Sequence, residues 1–290
     1  MRLSASVFLA ALCALTSCQD TAYAPWPLEM VPGTVRQYSC RYTSRPPVIN
    51  GLLEEDEWDS NQEAVVKNSW KNAPWSEAFL DIQGSNAPAP RYATWMKMLW
   101  DQKNLYIAAY IEEPDLWGTL DKRDMVMFHE NDFEIFIDPM SDNNSYYEIE
   151  CNILGQVFDL YLTREYRKGG IAHHEWNCES MVTRSIWWGS LNDSTDKDRG
   201  WTIEIQIPFM CLRPPISVTD DEGENIRNGE VPLVGDQWRM NFSRVEWELE
   251  KVGAGYIKKP GVKENNWVWT PQWEVDMHQL EHWGVVTFTK

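Results

Sequence analysis

Residues 132–159 read DFEIFIDPMSDNNSYYEIECNILGQVFD, and the alternation within them decides the fold class. Successive side chains of a strand point to opposite faces, so Phe133, Ile135 and Ile137 share one side and Asp132, Glu134, Phe136 and Asp138 the other. In the second run Tyr147, Ile149, Cys151 and Ile153 oppose Tyr146, Glu148, Glu150 and Asn152. Residues 139–145, rich in turn formers, join the two runs as a hairpin. Its apolar side faces a core, and its other side brings Glu134 beside Glu148 or Glu150. Like charges side by side oppose sheet formation, so a compensating partner is expected: a sugar hydroxyl, a cation or a nearby Arg, unless water alone screens the face.

Outward from this hairpin, residues 93–100 and 104–112 predict a second one across 101–103. Its Leu105, Ile107, Ala109 and Ile111 alternate against Tyr106, Ala108, Tyr110 and Glu112. Residues 156–163, 181–188, 201–208, 237–247 and 284–289 are further strand candidates, separated by polar loops at 191–200 and 217–234. No run of ten or more residues holds helical periodicity. Eight or more strands at this spacing predict an all-β chain, a two-sheet antiparallel β-sandwich with long loops and few short helices. In VINGLLEEDEW (48–58) a turn at Asn50 and Gly51 leads into an acidic helical turn ending in Trp58. Residues 19–45, with Pro25, Pro27 and Pro32, read as a tether, which places one domain at 46–290.

Met1 and Arg2 precede an apolar run over residues 7–15, the pattern of a secretory signal rather than a membrane span. It ends in Leu15, Thr16, Ser17 and Cys18, which resembles a bacterial lipobox; the competing reading is cleavage after Ala22, Tyr23 and Ala24. The lipobox predicts residues 1–18 as the signal and an exported lipoprotein of the outer membrane or cell surface. It would be held to the membrane only by lipid on Cys18. The cleavage reading predicts a periplasmic or secreted protein instead. The formal charge of −18 disfavours nucleic acid as a partner and suits an uncharged glycan or a cation. Seventeen tryptophans are more than a core usually absorbs, and exposed rings are stacking surfaces for sugars. Cys40, Cys151, Cys178 and Cys211 allow two disulfides in three connectivities, and none has the CxxC spacing of a zinc site.

Several blocks occur in a telling order: VINGLLEEDEW, MKMLWDQKNLYIAAYIEEPDLW, ENDFEIFIDP, YYEIECN, WTIEIQIP and HQLEHWGVVTF. Together they resemble carbohydrate-binding module family 9, in its single-domain bacterial form, over about residues 45–290. The resemblance implies a two-sheet sandwich related to DOMON domains, no catalytic residues, structural calcium, and a site where aromatic rings clamp a terminal saccharide. By motif, the family's binding carboxylate falls on Glu134, one aromatic on Phe128 or His129, and the second near Met277 or His278. Glu150 stands where the family carries a basic residue.

Stacking and hydrogen-bonding chemistry for a pyranose has further candidates. Trp117, in the loop after Glu113, Pro114 and Asp115, joins Phe128, Trp247, Trp269 and Trp273 as candidate platforms. Glu134, Glu148, Asn152, Arg123, Arg244 and His278 are candidate hydrogen-bonding groups. Asp138, Asp142, Asn143 and Asn144 form one oxygen-rich turn, and Asp193, Asp196 and Asp198 another, each a candidate calcium site without EF-hand spacing. Two rival chemistries stand beside binding. Paired carboxylates also suit a glycoside hydrolase, though nothing in the sequence marks a cleft that would raise one carboxyl pKa. Met277 with His278, or Met127 with His129, suggests a haem site of the DOMON kind, while the lack of CxxCH excludes covalent haem.

Overall fold

The computed structural model describes residues 30–53, 57–59, 64–66, 69–215 and 229–290. Cys18, both cleavage sites, residues 19–29 of the expected tether and much of the 217–234 loop lie outside the described residues.

Six strands precede the hairpin at 132–152: β1 (Gln37–Tyr42), β2 (Glu57–Asp59), β3 (Ala64–Val66), β4 (Leu80–Asp81), β5 (Thr94–Trp100) and β6 (Asn104–Ile111). The hairpin is β7 (Asp132–Asp138) and β8 (Tyr146–Asn152). After it come β9 (Val157–Leu162), β10 (Ala172–His173), β11 (Val182–Trp188) and β12 (Gly200–Pro208). The chain closes with β13 (Gln237–Glu246), β14 (Leu249–Val252), β15 (Gly255–Lys258), β16 (Asn265–Val268) and β17 (Gly284–Thr289). Helical elements among the described residues are 3-10 turns of three or four residues. Trp58, expected to end a helical turn, lies in β2.

Thirteen strands form one sheet in the order β10-β9-β8-β7-β13-β17-β1-β5-β6-β12-β11, with β16 paired to β13 and β4 to β16. The sheet curls over itself, because the inward residues of its two halves share one core. Phe133, Ile135 and Ile149 come from one half, and Met96, Met98, Ile107, Ile203 and Ile205 from the other. Each such side chain contributes roughly 1.5–3 kcal/mol on burial. The result is a two-layer β-sandwich.

Two sequence expectations are corrected. Residues 37–42, read as tether, are β1, a central strand that pairs in parallel with β5 and β17, so the ladder is not wholly antiparallel. Tyr38 and Cys40 alternate inward from it, and the Tyr38 hydroxyl accepts the Met98 amide at 2.8 Å and donates to the Pro74 carbonyl at 2.6 Å. Of the four cysteines expected to pair, Cys178 and Cys211 are bridged, with Cα atoms 5.3 Å apart, whereas Cys40 and Cys151 are buried free thiols. Those two sit on β1 and β8, which are not neighbours in the sheet, and they act as small apolar core residues.

On the other face of β7, β8 and β9, Phe136, Tyr146, Phe158 and Leu160 pack with Met277, Leu280 and Trp283 from the segment before β17. This second cluster covers only part of that face. The remainder is a cavity.

Candidate ligand-binding cavity

Register builds the cavity floor. Across the β7–β8 ladder Glu134 stands opposite Glu150 and Phe136 opposite Glu148; Ser243 of β13 flanks Glu134 on its other side. On β9, Phe158 is paired with Glu150 and Leu160 with Glu148. Glu134, Glu148 and Glu150 thus project together into a cavity of about 360 Å³, within the range of small-molecule sites. Phe128, Phe158, Tyr166, His174, Met277 and His278 wall it, and Glu264 and Asn266 stand at its rim.

The floor is electrostatically strained. Oxygens of Asp132, Glu134 and Glu150 lie within 4.8 Å of one another. At an effective dielectric of ~20, two ionised groups that close repel by roughly 3 kcal/mol. Burial, then the charge of Glu150, pushes the Glu134 carboxyl up to about 8, and burial pushes Glu150 up to about 7. Asp132 and Glu148 are raised for the same reasons, burial first and neighbouring carboxylates second. Glu150 is positioned by its Oε2, which accepts the Met127 and Phe128 amides at 2.8 and 3.0 Å and so ties the Phe128 loop to the floor. His278 is fixed by a 2.7 Å hydrogen bond between its Nδ1 and the Tyr146 hydroxyl, and burial lowers its pKa to about 4.

Of the residues expected to bind ligand, Glu134, Glu148, Phe128 and His278 meet in this cavity. The others are placed elsewhere, each for a visible reason. Arg244 shares the inward face of β13 with Phe242. It is buried and paired at 2.8 Å with both Glu113 and Glu246. Arg123 is engaged by Asp159 and Asn177. Asn152 is saturated: its amide donates to Leu120 and Glu130, and its oxygen accepts the Leu154 and Gln156 amides, stapling the β8–β9 turn. Trp269 is wholly buried against Phe242, its ring passing over Gly284, where a Cβ would lie 2.2 Å from it. The Trp273 ring likewise packs on Gly84. Trp117 is half-buried in its loop and does not line the cavity. His129 is exposed and its ring lies tilted against that of Phe128, centroids 4.6 Å apart, without entering. Trp247 donates to the Phe128 carbonyl at 2.9 Å, carries Lys258 over its ring at 3.4 Å, and lines a second polar hollow with Tyr92, Glu113 and Glu246.

The two oxygen-rich turns are closed by their own hydrogen bonds. Asp138 accepts the amides of Met140, Ser141 and Asn143, and Asp142 that of Asn144. Asp198 accepts from Leu116 and Ser190, and Asp193 from Thr195. Of the haem ligands suggested by sequence, Met277 and His278 both wall the cavity, with His278 Nδ1 bonded to Tyr146, whereas Met127 is buried in the second cluster and His129 is exposed outside the cavity.

Sequence reading missed Phe158, Tyr166, His174, Glu264 and Asn266. Phe158 was within reach, because it alternates onto the face of Glu150 once β9 is paired. Glu264 and Asn266 arrive from a distant segment, and Tyr166 from the turn just after β9, none with a local signal.

Residues 63–227 match the family described as Carbohydrate family 9 binding domain-like. The chain belongs to this family. Its relatives include the endo-1,4-beta-xylanase A of Thermoanaerobacterium saccharolyticum, 32% identical over 168 residues, 58% of this chain and 11% of the enzyme. The exoglucanase XynX of Acetivibrio thermocellus is 30% identical over 224 residues, 73% of this chain and 17% of the enzyme. The chain therefore spans under a fifth of each of these enzymes. A candidate carbohydrate-binding protein from Bacteroides uniformis shares the fold at a TM-score of 0.54 and 12% identity, with 88% of this chain and all of that one covered.

Proposed function

We propose that this family 9 protein binds saccharides, without cleaving them, in the cavity over β7, β8 and β9. The observation that carries the reading is the pairing of an acidic floor, Glu134, Glu148 and Glu150, with an aromatic wall, Phe128, Phe158 and Tyr166, in one cavity of about 360 Å³. A pyranose presents an apolar C–H face that such rings stack on and hydroxyls that carboxylates accept from. The two enzymes it resembles carry names that point to β-1,4-linked xylan and to glucan, and these are the first ligands to test.

Hydrolysis by the same carboxyls is the weaker reading. A glycosidase needs one protonated carboxyl beside one that stays ionised. Here Asp132, Glu134, Glu148 and Glu150 are all pushed in the same direction. Incubation with xylo- and cello-oligosaccharides, followed for binding by a glycan array and for cleavage by new reducing ends, tests both. Retention without new reducing ends is expected, and turnover would replace this reading with the hydrolase. We further propose display on a bacterial envelope through lipid on Cys18, in support of polysaccharide breakdown. The lipobox-like Leu15, Thr16, Ser17 and Cys18 support it, and loss of membrane fractionation in Cys18→Ser tests it.

A further inference from the structure

We propose that Asp132, Glu134 and Glu150 hold one divalent cation of the calcium class beneath the cavity, and that its open coordination positions meet the hydroxyls of a bound saccharide. The second half rests on the carbohydrate reading; the first does not.

Spacing is the first support. The three carboxylates offer oxygens within 4.8 Å of one another, near enough for one divalent cation to be shared among them. An independent support is Asp132 itself. It is wholly buried, its Oδ2 has no hydrogen-bond partner, and its Oδ1 receives only a 3.3 Å contact from the Val245 amide. A buried carboxylate oxygen left in this way is costly unless a cation meets it. Among the described residues no Lys or Arg is paired with Asp132, Glu134 or Glu150. Glu150 is held in place by the two backbone amides that donate to its Oε2. Glu134 and Glu150 line the cavity whereas Asp132 does not, so an ion among the three has an open side. Calcium takes six to eight oxygens, more than three carboxylates in mixed mono- and bidentate use supply, and neighbouring hydroxyls are hard oxygen donors suited to the remaining positions.

The test is calorimetric titration of calcium chloride into the purified, EDTA-stripped protein without sugar, repeated for Asp132→Asn, Glu150→Gln, Asp142→Asn and Asp193→Asn. Saturable one-to-one binding is expected, weakened at least tenfold in the first two variants and unchanged in the last two. Asp132→Asn and Glu150→Gln are isosteric and relieve repulsion. Each should therefore melt in EDTA at or above the wild-type temperature and lose the upward shift that calcium gives the wild type. Absence of any heat or melting shift with calcium, magnesium and manganese would overturn the site and leave the three carboxyls sharing protons. Binding that survives Asp132→Asn and Glu150→Gln would overturn it too. Oligosaccharide affinity measured with and without EDTA addresses the second half. At least a tenfold loss restored by calcium supports it; equal affinity in EDTA refutes the cation bridge while leaving the carbohydrate reading intact. Calcium binding with no saccharide bound at all would uphold the ion site and refute both the bridge and the carbohydrate reading.

Discussion

Glu134 and Glu150 face each other directly across the β7–β8 ladder, two buried carboxyls at a position where like charges weaken a sheet. A core built for stability alone would place an apolar pair there. Glu134→Gln should accordingly separate function from stability. Above about pH 8, where the Glu134 carboxyl is ionised, it removes a charged acceptor, which lowers saccharide affinity about tenfold or more by titration calorimetry. It also relieves the repulsion, so in EDTA the melting temperature holds or rises. A variant that loses stability yet binds normally would remove Glu134 from the site.

Aromatic rings divide the same way. Phe128 is 39% exposed at the cavity rim, and Phe128→Ala should weaken binding roughly three- to tenfold, the range of a lost stacking contact, with little change in melting. Trp269 is fully buried, and Trp269→Ala should cost about 3–5 kcal/mol in denaturant unfolding. The folded fraction of that variant should still bind. Reversal of the two phenotypes would contradict the assignment of the rings.

The pH dependence of stability carries the signature of His278, held at about 4 by burial against an ordinary 6.5. The unfolded chain takes up a proton near pH 6.5 that the folded chain refuses until about pH 4. This contribution is therefore complete above pH 6.5 and declines by roughly 3 kcal/mol as the pH falls to about 4. The raised carboxyls act with the opposite sign, so the informative quantity is the difference between wild type and His278→Asn. Urea unfolding at steps between pH 4 and 7 should give a shallower acid decline for the variant; parallel curves would place the histidine in water.

Cys178 and Cys211 close a loop of 33 residues, for which the chain-entropy relation gives roughly 3–4 kcal/mol. Reductant, or Cys178→Ser, should lower the unfolding free energy by about that amount in a chemical melt. Cys40→Ala should respond differently, as a core truncation with no sensitivity to reductant.

The hairpin of β7 and β8 was legible because its alternation is strict and its turn is dense in formers, and both the β5–β6 hairpin and β17 were legible for similar reasons. β1 was not. QYSCRY alternates polar and apolar residues as a half-buried strand does, but it follows a proline-rich stretch that reads as a tether, and its parallel partners lie far along the chain. At the site, Glu134, Glu148, Phe128 and His278 were reachable from the hairpin and from the order of blocks. Arg244 and Asn152 were misplaced because their roles depend on pairing. Ser243, not Arg244, stands beside Glu134, and no local pattern sets the register between segments about a hundred residues apart. Trp269 shows the same limit for aromatics, since a ring over Gly284 and a ring in a cavity wall look alike in sequence.

Calorimetric titration of xylo- and cello-oligosaccharides into the wild-type protein, with Glu134→Gln and Phe128→Ala alongside, tests the central claim most directly. The account predicts saturable binding with a dissociation constant between about 1 µM and 1 mM, about −8 to −4 kcal/mol, weakened by both substitutions while each variant stays folded. Binding of equal strength in all three proteins, or no binding of any oligosaccharide by the wild type, would contradict it.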